Sequence, residues 1–296
     1  MLYDIGLRIR YDYQTPAAGG RHVLCMTPAD LVDQRPITSL LDITPAPDER
    51  IARTDFFGNT VVEVAFRAPH SEIEFRLRSR VERKVHKITE DVSTPLLEMG
   101  AAVASIRDLG AESPHHFLAD SPRVKARSRF REYALEHIDR ETMTTLEAVE
   151  AIGKAIDRDM TYEPGSTQVD TPPEEAFARR QGVCQDFTHI MIACLRGIGV
   201  PSAYVSGFLR TIPPEGQPRL EGADAMHAWV RAWCGPQLGW VEYDPTNGIR
   251  VSDQHIVVAY GRDYGDVPPL RGVIRGGGTP QLTVAVTVAP VDLPKV

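Results

Sequence analysis

Three residues in the second half of the chain have side chains suited to nucleophilic catalysis: Cys184, His227 and Asp244. Cys184 stands just before apolar residues that recur at helical spacing from Phe187 to Ile198, so we expect it at the N-terminus of a helix. Free N–H groups and the helix dipole stabilise a thiolate there, and the Cys184 N–H could donate to an oxyanion. Taken alone, the position suits a small buried cysteine equally well.

His227 and Asp244 lie in two predicted strands, 227–233 and 240–244, joined by a turn. A symmetric turn would pair Asp244 with Trp229 and place His227 and Asp244 on one face as diagonal neighbours, about 7–8 Å apart. Asp244 could then accept the ring N–H of His227 and leave the other nitrogen for the thiol. A register shift of one residue would put the two side chains on opposite faces. Taken singly, each residue also has a structural interpretation: His227 as a half-buried histidine in an aromatic strand, and Asp244 as an aspartate that starts a turn.

Four other residues near these three are not assigned to the catalytic group. Asp186, in the first turn of the helix, is predicted to be a structural cap. His189 is predicted on the polar side of that helix, at the surface or behind the catalytic residues. Cys194 falls on the apolar stripe and is predicted in the core, whereas Cys234 is predicted to be more exposed, in the hairpin turn, and is given no role.

The composition is that of a soluble globular protein. The chain has 296 residues, of which 42% are hydrophobic and 25% charged, enough for one large or two modest domains. A net charge of −7 argues against nucleic-acid and membrane partners. No signal peptide or membrane span is recognisable, and the four cysteines are too few for a disulfide framework. With no zinc-type spacing, we expect no metal and no cofactor, and a cytoplasmic location.

The patterning changes from strands to helices along the chain. Alternating apolar residues predict a strand over 5–13, and further strands are predicted over 21–27, 60–67 and 72–85. In the middle, Ser121-Pro122 is predicted to start a helix reaching about residue 138. The order is β-rich, then helical, then mixed, which indicates an α+β fold rather than an alternating parallel sheet.

Two capping boxes and one late strand complete these predictions. Thr144 and Glu147 have capping-box spacing before a helix to about residue 160, and Thr171 and Glu174 have it before a short helix to about residue 180. A last strand is predicted over 282–288.

Several short motifs resemble the transglutaminase-like superfamily, whose fold belongs with the papain-like cysteine enzymes. They are Gly182-Val-Cys184, Met226-His-Ala-Trp229 and Glu242-Tyr-Asp-Pro-Thr246. Asp55-Phe-Phe-Gly-Asn59 resembles a motif of the β-rich N-terminal region found in bacterial transglutaminase-like proteins. The resemblance implies a β-rich, sandwich-like domain over 1–105 and a transglutaminase-like catalytic core over 106–296, in which a helix carrying the cysteine packs on an antiparallel sheet and a C-terminal strand follows.

The resemblance also implies roles for the three residues. Cys184 would be the nucleophile, His227 the general base and then acid, and Asp244 the residue that orients the histidine. The second oxyanion donor is not fixed by the motifs, and Tyr162 and Gln185 are the candidates. No EF-hand pattern is present, so calcium dependence is not carried over from the animal enzymes.

Three functions are compatible with these residues. We favour acyl transfer on peptide or amide bonds through a thioester, with hydrolysis, as in a protease or amidase, preferred to amine cross-linking; the partners would be a peptide or protein substrate and an amine acceptor if one is used. The alternative is a non-catalytic peptide-binding or assembly module. A metal- or redox-linked thiol protein is third, because CxxC pairs and histidine clusters are lacking.

Overall fold

The computed structural model describes residues 1–84, 88–211 and 224–291. Its strands are β1 Leu2–Leu24, β2 Gln34–Thr44, β3 Glu49–Thr54, β4 Thr60–Phe66, β5 His70–Arg83, β6 Thr161–Tyr162, β7 Gln181–Gly182, β8 Ser202–Leu209, β9 Ala225–Trp233, β10 Trp240–Asp244, β11 Ile249–Arg250, β12 His255–Gly261, β13 Leu270–Gly276 and β14 Gln281–Pro290. Its helices are α1 Met99–Ser105, α2 Ser128–Glu136, α3 Thr145–Asp159, α4 Pro173–Arg179 and α5 Cys184–Gly197, with short 3-10 helices at Leu96–Glu98 and Pro114–Phe117. The predicted α+β class is confirmed.

The first sheet is organised around the long strand β1. Its strand order is β2-β5-β1-β4-β3, and β13 and β14 also pair with β1. Alternate residues of β1, such as Tyr3, Ile5 and Leu7, are buried, as the period of two predicts. The separate strands predicted over 5–13 and 21–27 are parts of this one strand, whose register with β5 shifts between Asp12 and Ala17.

The chain returns to this sheet at its C-terminal end. Strand β14, which contains the predicted strand over 282–288, pairs with β1 along its whole length, and β13 pairs with the later part of β1. Val286 and Val288 are buried opposite Leu7 and Ile5. The strand predicted over 72–85 is β5, which ends at Arg83; Val85 lies outside the described residues.

The second sheet carries His227 and Asp244, two of the three candidate catalytic residues. Its antiparallel order is β11-β10-β9-β8-β12, and α5 packs against β8 and β9. Helix α5 is buried on nearly all sides, from Gln185 to Arg196, because α2, α3 and α4 cover what the sheet leaves free. The predicted apolar stripe lies in this core, with Ile190, Met191 and Leu195 fully buried. A helix buried in this way holds its first residue in a fixed place.

Two predicted helix starts are wrong. Helix α2 begins at Ser128 and not at Ser121, because the Ser121 N–H donates to the Val124 carbonyl in a turn, and its Oγ accepts a hydrogen bond from Arg196 (3.1 Å). Thr171 does not cap α4, because its hydroxyl accepts the Gln168 N–H (2.8 Å) and Pro172 is the N-cap.

The capping box of Thr144 and Glu147 is confirmed at the start of α3.

Amide side chains join the two sheets at the outer edge of β12. Gln34 accepts the Val257 N–H and donates to the Val257 carbonyl, both at 2.7 Å. Asn59 likewise accepts the Tyr260 N–H and donates to the Tyr260 carbonyl, both at 2.8 Å. Asp55 fixes the turn that carries Asn59 by accepting the Asn59 N–H (2.9 Å). The N–H and C=O groups of an edge strand need partners, and the N-terminal region supplies them here.

Candidate active site

Cys184 is the first residue of α5, as predicted. Val183 precedes it as N-cap, and the Asp186 carboxylate accepts the Val183 N–H (2.8 Å) and the Thr167 hydroxyl (2.6 Å). The prediction that Asp186 is a structural cap is therefore confirmed. As the first residue of a buried helix, Cys184 lies at the positive end of the helix dipole. The residue is half-buried, so it is still partly accessible.

The hairpin of β9 and β10 has the predicted register. Trp240 pairs with Trp233 and Tyr243 with Val230, which places His227 and Asp244 on the same face. His227 Nε2 lies 2.8 Å from Asp244 Oδ2, and both side chains are buried. With Nε2 bonded to the carboxylate, Nδ1 is the ring nitrogen left for the thiol.

The environment of His227 favours its protonated form. Burial by itself lowers the pKa of His227, but hydrogen bonds with Asp244 and Cys184, and the charges of both groups, more than compensate. The result raises the pKa to about 10. A histidine whose pKa is raised in this way, held beside a thiol, is suited to accept the thiol proton when the sulfur attacks a carbonyl.

Asp244 is fully buried and accepts four hydrogen bonds. Its Oδ2 accepts from His227, from His255 Nε2 (3.1 Å) and from Asn247 Nδ2 (2.6 Å), and its Oδ1 accepts the Thr246 N–H (2.9 Å). Burial alone would raise the pKa of Asp244, but the hydrogen bonds from the two histidines hold it well below its usual range. The carboxylate is therefore ionised and fixed in orientation.

Two family descriptions match this chain, on either side of the region where the structure changes from the first sheet to the helices. "Bacterial transglutaminase-like N-terminal region" matches residues 3–82, and "Transglutaminase-like superfamily" matches residues 132–245, which include all three candidate catalytic residues. An uncharacterized protein of Mycobacterium tuberculosis is 34% identical over 98% of this chain and 93% of its own length. The chain belongs to the transglutaminase-like superfamily.

Further relatives extend this result. An uncharacterized protein of Mycobacterium leprae is 31% identical over 94% of this chain and 95% of its own length. The crystal structure of a candidate cysteine protease from Cytophaga hutchinsonii superposes with a TM-score of 0.77, covering 99% of this chain and 92% of that one at 19% identity. The predicted family and papain-like fold are thus confirmed, and membership of the superfamily supports a cysteine-dependent activity in general.

His255 is the residue at this transglutaminase-like site that sequence reasoning missed. It opens β12, which is separated from β10 by two strands, and yet its ring reaches Asp244. Neither motif nor spacing points to it, because the contact depends on how the chain crosses from β11 to β12. Only the strand order of the sheet could have indicated it.

Trp229 supports both histidines. Its ring lies 6.2 Å from His227 and 5.2 Å, edge-on, from His255, and its Nε1 donates to Glu242 (2.9 Å). The indole lies over Gly207 on β8, where a Cβ would come within 2.3 Å of the ring. A glycine at position 207, opposite His227, therefore leaves the space that this tryptophan fills.

The two predicted oxyanion donors differ in their availability. Gln185 uses its side-chain amide to donate to the Val169 carbonyl (2.9 Å) and is 9% exposed. Tyr162 is 50% exposed on β6, beside Gly182, and burial followed by the charge of Cys184 raises its pKa. Tyr204 of β8, which the sequence did not suggest, is buried, and its pKa is raised by the same two causes. Tyr162 is therefore the predicted donor that remains open to a substrate.

One prediction about a neighbouring residue is wrong, one is confirmed and one is narrowed. His189 is buried and its Nε2 accepts the Tyr264 N–H (3.2 Å), which excludes the predicted surface position but not the predicted position behind the catalytic residues. Cys234 is also buried, because the turn that contains it packs against the core. Cys194 lies in the core, as predicted.

One group of residues in the described part of the chain has ligand atoms close enough for a metal ion. It consists of His227, Asp244 and His255, whose atoms lie within 4.8 Å of one another. Their hydrogen bonds already use these atoms, since Asp244 Oδ2 accepts from both rings. The hydrogen bonds among these three side chains therefore explain why their potential ligand atoms lie so close together.

A cavity of about 1210 Å³ lies between the N-terminal region and the second sheet. Arg83, Arg231, Trp240 and Tyr260 are among its lining residues, and none of the three candidate catalytic residues is. It is therefore separate from the thiol. Within the described residues, no helix is long and apolar enough to cross a membrane.

Proposed function

We propose that this chain is a cysteine-dependent acyl-transfer enzyme that acts on peptide or amide bonds through a thioester at Cys184. The observation that carries the proposal is the placement of His227 between the buried Asp244 carboxylate, 2.8 Å from its Nε2, and the Cys184 thiol, both of which raise its pKa. A histidine with two such partners has no evident structural need for both, whereas a thiol nucleophile needs a proton acceptor beside it.

In the first half of the reaction, the Cys184 thiolate attacks the carbonyl carbon of the amide and forms a C–S bond. The charge that develops on the oxygen is stabilised at the N-terminus of α5, with Tyr162 as a second donor. The C–N bond then breaks, and His227 gives its proton to the leaving amine. Asp244 keeps the ring oriented throughout and does not itself take the proton.

In the second half, His227 takes a proton from the acceptor while the acceptor attacks the thioester. The C–S bond breaks and Cys184 leaves as the thiolate, which restores the starting state. We favour water as the acceptor, because Cys184 is half-buried and Tyr162, whose pKa is raised by burial and then by the charge of Cys184, is half-exposed. A primary amine arriving at the same place would give a cross-link instead.

The test is a peptide and amide library incubated with wild-type protein and with Cys184→Ala, with and without a primary amine. Cys234→Ala is the matched control, because that cysteine is buried away from the site. We expect turnover in the wild type and the control, none in Cys184→Ala, and a thioester mass increment on Cys184. Product without added amine identifies a hydrolase, and amine incorporation identifies a transglutaminase.

Turnover that survives in Cys184→Ala would refute the nucleophile. If the wild type binds library peptides but forms no thioester and no product, the chain is a peptide-binding module instead.

A further inference from the structure

The candidate site contains a second histidine, and Asp244 bridges the two. His255 is 1% exposed, and its Nε2 lies 3.1 Å from the Asp244 Oδ2 that also contacts His227. The centroids of the two imidazole rings are 6.1 Å apart. The hydrogen-bonding group that the two histidines share is the Asp244 carboxylate, and the Trp229 ring lies beside both.

The contacts of His255 define which of its nitrogens carries the proton. The Ser252 backbone N–H donates to His255 Nδ1 (3.3 Å), so Nδ1 is an acceptor. A neutral ring with Nδ1 accepting carries its hydrogen on Nε2, which donates to Asp244. The edge of Trp229 packs against the ring at 5.2 Å and restricts its rotation. His255 is thus a fixed donor aimed at one carboxylate oxygen.

Other ionisable groups surround this carboxylate. Cys184 approaches His227 from α5, and Asp157 approaches from α3, where burial and the Asp244 charge raise its pKa. Asp157 repels Asp244, so donors are needed to keep the carboxylate in place and ionised. His255 is one such donor and comes from β12, whereas His227 comes from β9 and the other two donors from the turn between β10 and β11.

We propose that His255 is a positioning residue that holds the Asp244 carboxylate towards His227 and so sets the orientation of the catalytic imidazole. Its hydrogen bond to the site is the one to Asp244, so we expect its effect on the reaction to act through that carboxylate. This inference rests on the proposed function, because it assigns a role within the same site.

The test compares two substitutions in the wild type and in an Asp244→Asn background. His255→Leu removes the donor, whereas His255→Gln keeps an amide N–H that can reach the carboxylate. A hydrogen bond to a charged group is worth enough to change kcat by about 10- to 100-fold, so His255→Leu should lower kcat by that factor. KM should stay within about twofold, because substrate contacts are unchanged. The kcat of His255→Gln should be close to that of the wild type.

The double variant separates positioning from general damage. When Asp244 is already Asn, His255→Leu should lower kcat by less than about threefold, because two residues that act through one contact are not additive. His22→Gln is the control for losing a buried histidine elsewhere, and it should keep wild-type kcat. If His255→Leu does not fold, His255→Asn, whose amide is too short to reach Asp244, replaces it.

The inference is overturned if His255→Leu has wild-type kcat, if it costs as much in the Asp244→Asn background as in the wild type, or if His255→Gln is as impaired as His255→Leu. Failure of the proposed function would look different, since the wild type would then lack Cys184-dependent turnover. In that case the His255 variants are compared, in the wild-type and Asp244→Asn backgrounds, by the rate at which iodoacetamide alkylates Cys184, which needs no substrate.

Discussion

Replacing Asp244 by Asn is the sharpest perturbation of the candidate site. An alanine would leave four donors without an acceptor, of which the two histidine rings are buried and cost about 1–3 kcal/mol each, and would test folding rather than catalysis. Asparagine keeps the shape and one acceptor oxygen. If that oxygen faces the two histidines, its NH2 group opposes only the Thr246 N–H, which is the less costly orientation.

The expected loss follows from the charge. Without the carboxylate, the strongest cause that raises the pKa of His227 disappears, and the imidazolium beside Cys184 is no longer favoured. In a Ser-His-Asp triad the same change lowers kcat by about 10⁴, and we expect a loss of about 10³- to 10⁴-fold here. Because the pKa of His227 falls, the alkaline limb of the kcat/KM profile should move to lower pH.

The same substitution changes how stability depends on pH. A histidine whose folded pKa is raised stabilises the protein fully below its unfolded value of 6.5, and this contribution is lost as pH rises towards about 10. That interval, at 1.36 kcal/mol for each pH unit, sets an upper bound of about 5 kcal/mol. The difference in unfolding free energy between wild type and Asp244→Asn should therefore shrink between pH 6.5 and 10.

The assays are steady-state kinetics from pH 5 to 10 and urea unfolding over the same range. Near-wild-type kcat in Asp244→Asn would refute the role of Asp244 as the residue that orients and charges His227. A loss of kcat with an unmoved alkaline limb would refute the effect of its charge on the pKa of His227 and leave the orienting role alone.

Three further predictions concern other parts of the molecule. A thiol reagent should modify one cysteine rapidly in the native protein and none in Cys184→Ala, because burial shields the other three and raises the pKa of Cys25 to about 12; two fast thiols would contradict this. Asn59→Ala should lower the free energy of unfolding by about 2–4 kcal/mol, because it leaves both backbone groups of Tyr260 unpaired. The exposed control Arg53→Ala should lower it by less than about 0.5 kcal/mol, and equal losses in urea unfolding would contradict a stabilising contact between Asn59 and Tyr260. Burial, followed by the charge of His70, lowers the pKa of His22 to about 4, so the unfolded chain binds this proton at higher pH than the folded protein and stability falls as pH drops from 6.5 to 4. His22→Asn should reduce that fall. If the change in urea midpoint between pH 7 and pH 5 is the same in wild type and variant, His22 is not its cause.

The part of the site that the sequence predicts is the part governed by short-range rules. The register of β9 and β10 follows from a short turn and a period of two, and it placed His227 and Asp244 on one face correctly. Helical spacing placed Cys184 at the start of α5 in the same way. The motifs of the superfamily added the N-terminal region and the overall fold.

The part that the sequence did not predict depends on distant contacts. His255 reaches Asp244 from a strand that is not adjacent to β10, and β13 and β14 pair with β1 from the opposite end of the chain. The wrong helix start at Ser121 has the same origin, because its hydroxyl is bonded to Arg196 of α5. A capping residue with a partner elsewhere in the fold does not cap, and no local pattern reveals such a partner.

These distant contacts also connect the N-terminal region to the site. Gln34 binds both backbone groups of Val257, two residues after His255 on β12, and His255 in turn contacts Asp244. Our hypothesis is that the N-terminal region, through the side-chain hydrogen bonds of Gln34 to this edge, fixes where His255 lies. Gln34→Ala should then lower kcat more than Asn59→Ala does, because Asn59 binds farther along the strand, at Tyr260.

The measurement compares kcat for the two variants at a temperature where both are folded, with and without His255→Leu. A loss that persists when His255 is Leu would show that Gln34 acts by another route. A loss that disappears in that background would mean that a region without any catalytic group of its own contributes to the reaction, by holding the strand from which Asp244 receives one of its four hydrogen bonds.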